Sequence, residues 1–518
     1  MVAHPVKHST RTTASDGDDA SHAARSGAVQ VLTILAQALI ATTQVVFARL
    51  YGQMVYGSYV SALAVLDVFC RGGTGGADKA MLRYVAASRA LGDAGGVRSA
   101  LGTGLRLGMA VAGSFAVALA FGLAPLLANA VKEPTLVPAL RILAPLPLFT
   151  GALWILIQAS LAARVTRANF YVRGLAEPSL LLVAGVVGWL LGGGLGALAT
   201  AHVAASAATL TLAVLVVRRV FHPDEMRKLL SAPRLPGFAR FSLPLAAGEM
   251  LNAVVQRADL VILTGLKGLE AAAVYGAAEF ITRSIASIRY AFDSIVAGVL
   301  SETLHLGDLS RLRYNLRLTT RWVVSVAAPI AVTLAVLRQD LLVLLFGAPY
   351  AAGAGVLLVL ATSHFVNASL GLTGWVLMVA GHSRLTFLTN LVCAVFNLSA
   401  AYILTSRYGL LGAACSALGT TLLMQTLIVI QVAVLQRVHP FSTALLKPLA
   451  AAAITFAVEE ALHLAIGSVW VRLPVTIAVG AAVYGLVLFG LGLPDEERQI
   501  FGRTVRALRA RLGRSTGS

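Results

Sequence analysis

The sequence predicts an all-α polytopic membrane protein with about 14 transmembrane helices. They form two six-helix lobes in a parallel pseudo-two-fold repeat, followed by two C-terminal helices. Three observations predict it: a composition too apolar for water, an alternation of basic charge between successive loops, and an internal repeat. Hydrophobic residues make up 58% of the 518-residue chain and charged residues 12%. A soluble domain carries roughly 25% charged residues, so this chain could not cover a water-facing surface. Runs of about 20 apolar residues are long enough to span a bilayer. Backbone groups in lipid must be satisfied within the segment, which makes those runs helices. A membrane barrel would show alternating segments of about ten residues, and the sequence has none.

Taken in order, residues 1–25 are polar, lack an apolar signal core, and read as a disordered cytoplasmic tail. Residues 26–220 hold spans at 27–49, 53–70, 99–122, 136–162, 172–193 and 195–217 and form the N-lobe. Residues 221–240, with Pro223, Pro233 and Pro236, read as the inter-lobe linker. The C-lobe, 241–438, has spans at 241–266, 272–299, 319–337, 352–380, 385–405 and 409–435. Residues 439–493 supply spans at 445–466 and 471–493. In 494–518, Phe501, Val505, Leu508 and Leu512 recur at helical spacing among Arg503, Arg506, Arg509 and Arg511. That suits a basic amphipathic helix on an anionic membrane surface, or a solvated basic tail. The longest connection, 71–98, is glycine-rich and basic and reads as a solvated loop. Cys70, Cys393 and Cys415 sit in apolar stretches without metal-ligand spacing.

Net charge is +18. With the N-terminus in the cytoplasm, the cytoplasmic segments hold about 30 of the 41 Lys and Arg, the bias expected of correct topology. The opposite loops hold Arg49, Lys132, Lys267, Arg338, Arg407 and Arg472. The positive charge therefore faces a membrane leaflet, and nucleic acid is excluded as its partner. Both termini are expected in the cytoplasm.

The repeat has an offset of about 215–219 residues. Val55-Tyr56-Gly57 matches Val274-Tyr275-Gly276, and Gly92-Asp93 matches Gly307-Asp308. Gly194-Leu195-Gly196-Ala197 matches Gly409-Leu410-Leu411-Gly412-Ala413, and Arg218-Arg219-Val220 matches Gln436-Arg437-Val438. Six spans per half give both halves the same orientation. Transporters built this way bind substrate between the halves near the bilayer midplane.

Charges at bilayer depth cost about 2.5–3.5 kcal/mol each on insertion scales and mark cavities or paired ions. In the seventh span Glu249, Asn252, Gln256 and Asp259 share a stripe about 80° wide. Gln30, Thr33 and Gln37 occupy the matching stripe of the first span. The eighth span carries Glu279, Arg283, Arg289 and Asp293 at i,i+4 spacings. Depth arithmetic places Glu249 beside Arg283, and Asp259 beside Glu279, with Arg257 near them. These ions could line a wet chamber, or neutralise one another and fix helix register. Arg106 and Arg141 are further buried arginines; Arg106 lies near the start of the third span and could snorkel. His364 and His463 are lone histidines, and Glu459-Glu460 in the thirteenth span has no evident role. There is no phosphate-binding loop, nucleophile elbow or metal-ligand spacing, so no cofactor, metal or catalytic residue is expected and the chain reads as a non-enzyme.

The sequence resembles the polysaccharide-transporter branch of the multidrug, oligosaccharidyl-lipid and polysaccharide exporter superfamily. The resemblance covers residues 26–492. It rests on the two lobes plus two helices, and on Asp259-Leu260-Val261-Ile262-Leu263-Thr264-Gly265 followed by Val274-Tyr275-Gly276. It implies flipping of a polyprenyl-pyrophosphate-linked oligosaccharide, such as an O-antigen unit for lipopolysaccharide, across the bacterial inner membrane by alternating access. Arg257, Arg283, Arg289 and Arg106 are then candidates for the pyrophosphate, which arginine forks bind well. Gln37, Asn252 and Gln256 are candidates for the sugar, and Glu249, Asp259 and Glu279 for a coupling ion, H+ or Na+. Only the Asp259 junction belongs to the family pattern; the other residues follow from depth and face. Membrane lipids, a polysaccharide polymerase and glycosyltransferases are the expected partners. The alternatives are an ion-coupled drug/cation antiporter of the same superfamily, a lipid II flippase, an integral-membrane glycosyltransferase or polymerase, and a facilitator of another fold.

Overall fold

The computed structural model describes residues 16–492 apart from 166–167, 227, 306–307 and 381. The amphipathic helix expected over 494–518 lies outside them. Among the described residues every regular element is helical. In chain order these are α1 (Asp16–Gly73), α2 (Ala77–Ala90), α3 (Ala94–Ala118), a π-helical segment Leu119–Leu123, α4 (Ala124–Ala130), α5 (Leu136–Ile142) and α6 (Leu146–Ala162). A second π-helical segment, Asn169–Ala176, leads into α7 (Glu177–Leu190), α8 (Leu195–Val217) and the short α9 (Pro223–Met226). The second half holds α10 (Phe238–His305), α11 (Leu309–Val336), α12 (Arg338–Phe346), α13 (Ala354–Leu370), α14 (Thr373–Val379) and α15 (Ser383–Gln436). A final hairpin is made by α16 (Leu446–Ala465) and α17 (Val469–Gly490).

Three helices double back on themselves. Each contains one glycine with non-helical backbone: Gly52 in α1, Gly268 in α10 and Gly409 in α15. All three have positive φ, which glycine adopts without penalty. Contacts across them rule out a straight rod. Residues 42 apart in sequence would lie about 63 Å apart along one helix, yet Gln431 Nε2 donates to Thr389 Oγ1 at 2.7 Å. Tyr56 Oη likewise reaches Gln44 Oε1 at 3.2 Å across Gly52, and Arg257 reaches Glu279 across Gly268. The sequence places a loop at each of these points; the structure reduces it to a single glycine between two limbs.

Nine helices among the described residues are long and apolar enough to cross a membrane, or ten if the bent pair α5–α6 is one span. About fourteen are expected from sequence. Each doubled-back helix corresponds to two expected spans, and α16, expected as the thirteenth, is not among the nine. The outer surface is apolar as lipid contact demands: Phe121, Leu191, Trp470 and Leu486 are all more than two-thirds exposed. The chain is a multi-pass membrane protein.

Two expectations need correction. α1 begins at Asp16, inside the segment expected to be an unstructured tail. The 71–98 connection is mostly a helix: Ala77, Ala80, Met81 and Val85 of α2 are buried and pack with Leu101 of α3 and Ile155 of α6 in one cluster. Its basic residues lie on the other face, which is why the segment reads as a loop.

The repeated motifs occupy matching places. Asp93 and Asp308 both N-cap their helices, α3 and α11, each accepting a backbone N–H three residues on. Tyr56 and Tyr275 are both fully buried in one core cluster. The glycine beside each meets the opposite half. A Cβ on Gly57 would lie 1.9 Å from the Leu269 carbonyl oxygen, and one on Gly276 would lie 2.8 Å from a Val60 methyl. At these points the second limbs of α1 and α10 approach as closely as backbones allow.

Candidate functional site

Charged and polar side chains converge on the seam between α1 and α10. The second limb of α1 carries Asp67 and, one turn on, Arg71; both limbs of α10 face it. Arg257 Nε donates to Asp67 Oδ2 at 3.0 Å, and its Nη1 donates to Glu279 Oε1 at 3.2 Å. Arg283, one turn beyond Glu279, donates to the same oxygen at 2.6 Å. Arg71 Nε lies 3.3 Å from Asp67 Oδ2, and its Nη2 donates to Gln256 Oε1 at 3.3 Å. Gln256 in turn donates to Asn252 Oδ1 at 3.2 Å. The result is one connected network from Arg71 to Arg283 that ties the first half of the chain to the second.

The network sorts the arginines. Arg257 is bracketed by two carboxylates and 17% exposed, with Nε and Nη1 both engaged. Arg283 has one carboxylate partner, which it shares, and is 45% exposed. Arg71 also lies 3.8 Å from Glu249, so the three guanidinium groups, Arg71, Arg257 and Arg283, face three carboxylates, Asp67, Glu249 and Glu279. The charges balance in number, but Arg283 is left half-exposed with only a shared carboxylate, and a guanidinium fork matches phosphate oxygens.

Depth arithmetic places some residues and misplaces others. Glu249 does not meet Arg283; it lies 3.8 Å from Arg71 and 3.7 Å from Lys79 of α2. Asp259 does lie within electrostatic reach of Glu279 and Arg257, as expected; it is buried and accepts a hydrogen bond from Tyr275 Oη. Arg289 pairs with Asp293 at 3.8 Å, and Asp293 also accepts from Trp375 Nε1 at 2.9 Å. That pair lies further along the second limb of α10 than Arg283. Gln37 is exposed on the first limb of α1, and Arg106 is half-buried on α3. The side chains of Gln30 and Thr33 lie outside the described set. Among the described residues no group of three or more His, Cys, Asp or Glu could hold a metal ion.

At one end of the seam Arg49 caps a helix of the other half. Its guanidinium donates to the carbonyls of Leu345, Leu344 and Val343 at 2.9, 2.6 and 3.2 Å. Those carbonyls lie in the last turn of α12 and carry the negative end of the helix dipole; that of Val343 also accepts the Gly347 N–H at 3.0 Å. At the other end Gly76 of the first half abuts the Ser242 carbonyl.

A family model described as a polysaccharide biosynthesis protein matches residues 46–353, more than half of the chain. The chain belongs to that family. Among curated proteins, none matches it. The chain has solved structural neighbours of low sequence identity. A lipid II flippase, MurJ, in an inward closed conformation aligns with a TM-score of 0.67 at 14% identity, covering 92% of this chain and 99% of that one. An inward-facing multidrug-resistance MATE transporter of the MOP superfamily aligns at 0.62 and 13% identity, covering 79% of this chain and 96% of that one. A MOP-superfamily transporter from Pyrococcus furiosus aligns at 0.53 and 12% identity, covering 82% and 94%. The fold is that of this superfamily, as the resemblance in the sequence implies.

Sequence reasoning missed Asp67, the carboxylate that carries the link between halves. Its signal was an acid in an apolar run with Arg71 four residues later; its second partner, Arg257, is 190 residues away. From sequence Arg49 reads as a loop charge and Lys79 as solvated; in the structure Arg49 meets α12 and Lys79 lies by Glu249.

Proposed function

We propose that this protein flips a polyprenyl-pyrophosphate-linked oligosaccharide across the bacterial inner membrane by alternating access of its two halves, with both termini cytoplasmic. The observation that carries the reading is the half-exposed Arg283 at the α1–α10 seam, whose one carboxylate partner is shared with Arg257. An anionic headgroup would lie against that guanidinium while the sugar contacted Asn252 and Gln256. Family membership supports a role in polysaccharide biosynthesis. The flippase likeness covers more of the chain than the drug-transporter likeness, 92% against 79%, a difference about the size of the C-terminal hairpin. The halves are residues 26–220 and 241–438, and the hairpin 439–493 is an addition to them. In this reading the chain is a transporter, not a catalyst. Glu249, Asp259 and Glu279 remain the carboxylates through which H+ or Na+ would couple.

Arg257 then serves as a structural tie and Arg283 as the group that meets phosphate. The test is export of surface glycan in cells whose only copy is a variant inserted at normal level. Arg283→Ala should reduce export at least about tenfold, the loss expected when one charge-assisted phosphate contact of about 1.5–3 kcal/mol is removed. Arg283→Lys should restore part of it. Wild-type export by Arg283→Ala, Arg289→Ala and the double variant would sink the proposal. The MATE likeness also suits a drug/cation antiporter; gradient-driven efflux of a cationic dye, with glycan export untouched by deletion, would favour that reading instead.

A further inference from the structure

The C-terminal hairpin docks on α11 and α12 through polar contacts at two levels. At one end Arg472 of α17 forks onto Asp340 of α12, with Nε to Oδ2 at 2.8 Å and Nη2 to Oδ1 at 2.5 Å. Arg472 also donates to the Ile466 carbonyl at 3.2 Å. His463 of α16 places Nδ1 3.6 Å from Asp340 Oδ2. One helical turn deeper, on the same face of α16 as His463, lies Glu459. It is fully buried. Thr333 Oγ1 of α11 donates to its Oε1 at 2.9 Å. Its Oε2 has no hydrogen-bond partner among the described residues. Gly480 of α17 closes the site: a Cβ there would fall 1.8 Å from Glu459 Oε1, so the carboxyl lies flat on the α17 backbone.

None of the nearby cations compensates this carboxyl. Arg472 is engaged by Asp340, and Arg338 of α12 donates to the Ala335 carbonyl at 2.5 Å. On α17 the facing groups are Thr476 and Tyr484, both neutral and buried. On α16 the adjacent titratable groups are Glu460, itself acidic, and His463. On α11 the contact is Thr333. An ionised carboxylate with a single hydroxyl donor would be an uncompensated ion at membrane depth. A neutral carboxylic acid fits: one oxygen accepts from Thr333, and the other carries the proton.

We propose that Glu459 is a proton-binding site, a neutral acid in the docked hairpin, one helical turn from His463 and the Asp340–Arg472 pair. The site lies outside the α1–α10 seam, and the inference does not depend on what the protein carries.

The experiment is infrared spectroscopy of the full-length protein in lipid nanodiscs across a pH series. Wild type should show a protonated-carboxyl C=O band that titrates with pH, shifts in heavy water, and is lost in Glu459→Gln. The Gln variant mimics the neutral acid, so its thermal midpoint should match wild type in acid and stay level as pH rises, while that of wild type falls. Thr333→Val keeps the carboxyl and removes its donor, and should move the same band to higher frequency. A protonated-carboxyl spectrum identical in wild type and Glu459→Gln would overturn the assignment. If the Gln variant does not fold, a band unmoved in Thr333→Val would overturn it equally.

Discussion

Arg257 and Arg283 are the same side chain about seven helical turns apart along the chain, by way of a glycine bend, and they do different work because of their partners. Arg257 lies between Asp67 and Glu279 at 3.0 and 3.2 Å. Removing Asp67 leaves that guanidinium half-compensated in a largely dry seam. Asp67→Ala should therefore destabilise the folded protein by about 2 kcal/mol, less than the 3–5 kcal/mol of a fully buried pair because both groups keep some solvent. Thermal unfolding in detergent reads this. Arg283→Ala should cost under about 1 kcal/mol, since a half-exposed pair contributes little, and its effect should appear in transport. Equal destabilisation by both variants would refute the division of roles. The i,i+4 pair Glu279–Arg283 is legible from sequence because helix geometry fixes it. Asp67–Arg257 is not, because nothing local announces which of two acids 22 and 190 residues away an arginine will choose.

At the scale of elements, glycines and caps make sharper predictions than apolar content does. Gly57→Val would drive a side chain into the Leu269 carbonyl and should prevent the α1–α10 seam from closing, with a loss of at least about 3 kcal/mol or failure to fold. Gly113 of α3 meets nothing within 4 Å, and Gly113→Ala should be neutral or stabilising by about 0.5–1 kcal/mol. Melting of the two variants beside wild type checks both. The cap of α11 adds a pH signature. Ser310 Oγ donates to Asp308 at 2.6 Å and the Arg311 N–H at 3.0 Å. Those hydrogen bonds hold the Asp308 carboxyl below its usual range. A depressed folded-state value means stabilisation present above the unfolded value and lost as acid protonates the group. Asp308→Ala should therefore melt below wild type at neutral pH, and the gap should close in strong acid. The Gly-Asp pairs were readable as caps before helices. The burial of α2 was readable only in outline: Ala77, Ala80, Met81 and Val85 fall on one face, but Lys79, Arg83 and Arg89 dominate the composition of the segment.

Across the whole molecule, the membrane class, the superfamily fold and the register of the repeat all follow from pattern, because composition, charge alternation and a long-range offset are properties of the chain as written. The contacts between halves do not, since they depend on how two seams meet. Arg49 shows the difference. A lone arginine at a span end reads as a loop charge, yet its fork closes on three carbonyls of α12 in the other half. Arg49→Ala should leave insertion intact and open that end of the seam, raising the labelling of a cysteine placed at Leu345 by a membrane-impermeant thiol reagent. Unchanged labelling would show that the contact does not hold the end shut.

The last two helices have a consequence for mechanics. α16 and α17 are fastened to α11 and α12 by Asp340, Glu459 and their partners. An outrigger lashed to one hull travels with that hull. Rocking of one half against the other would sweep this appendage through the surrounding acyl chains, so bilayer thickness and lateral pressure would enter the balance between the two states, and a change of lipid alone could shift the cycle.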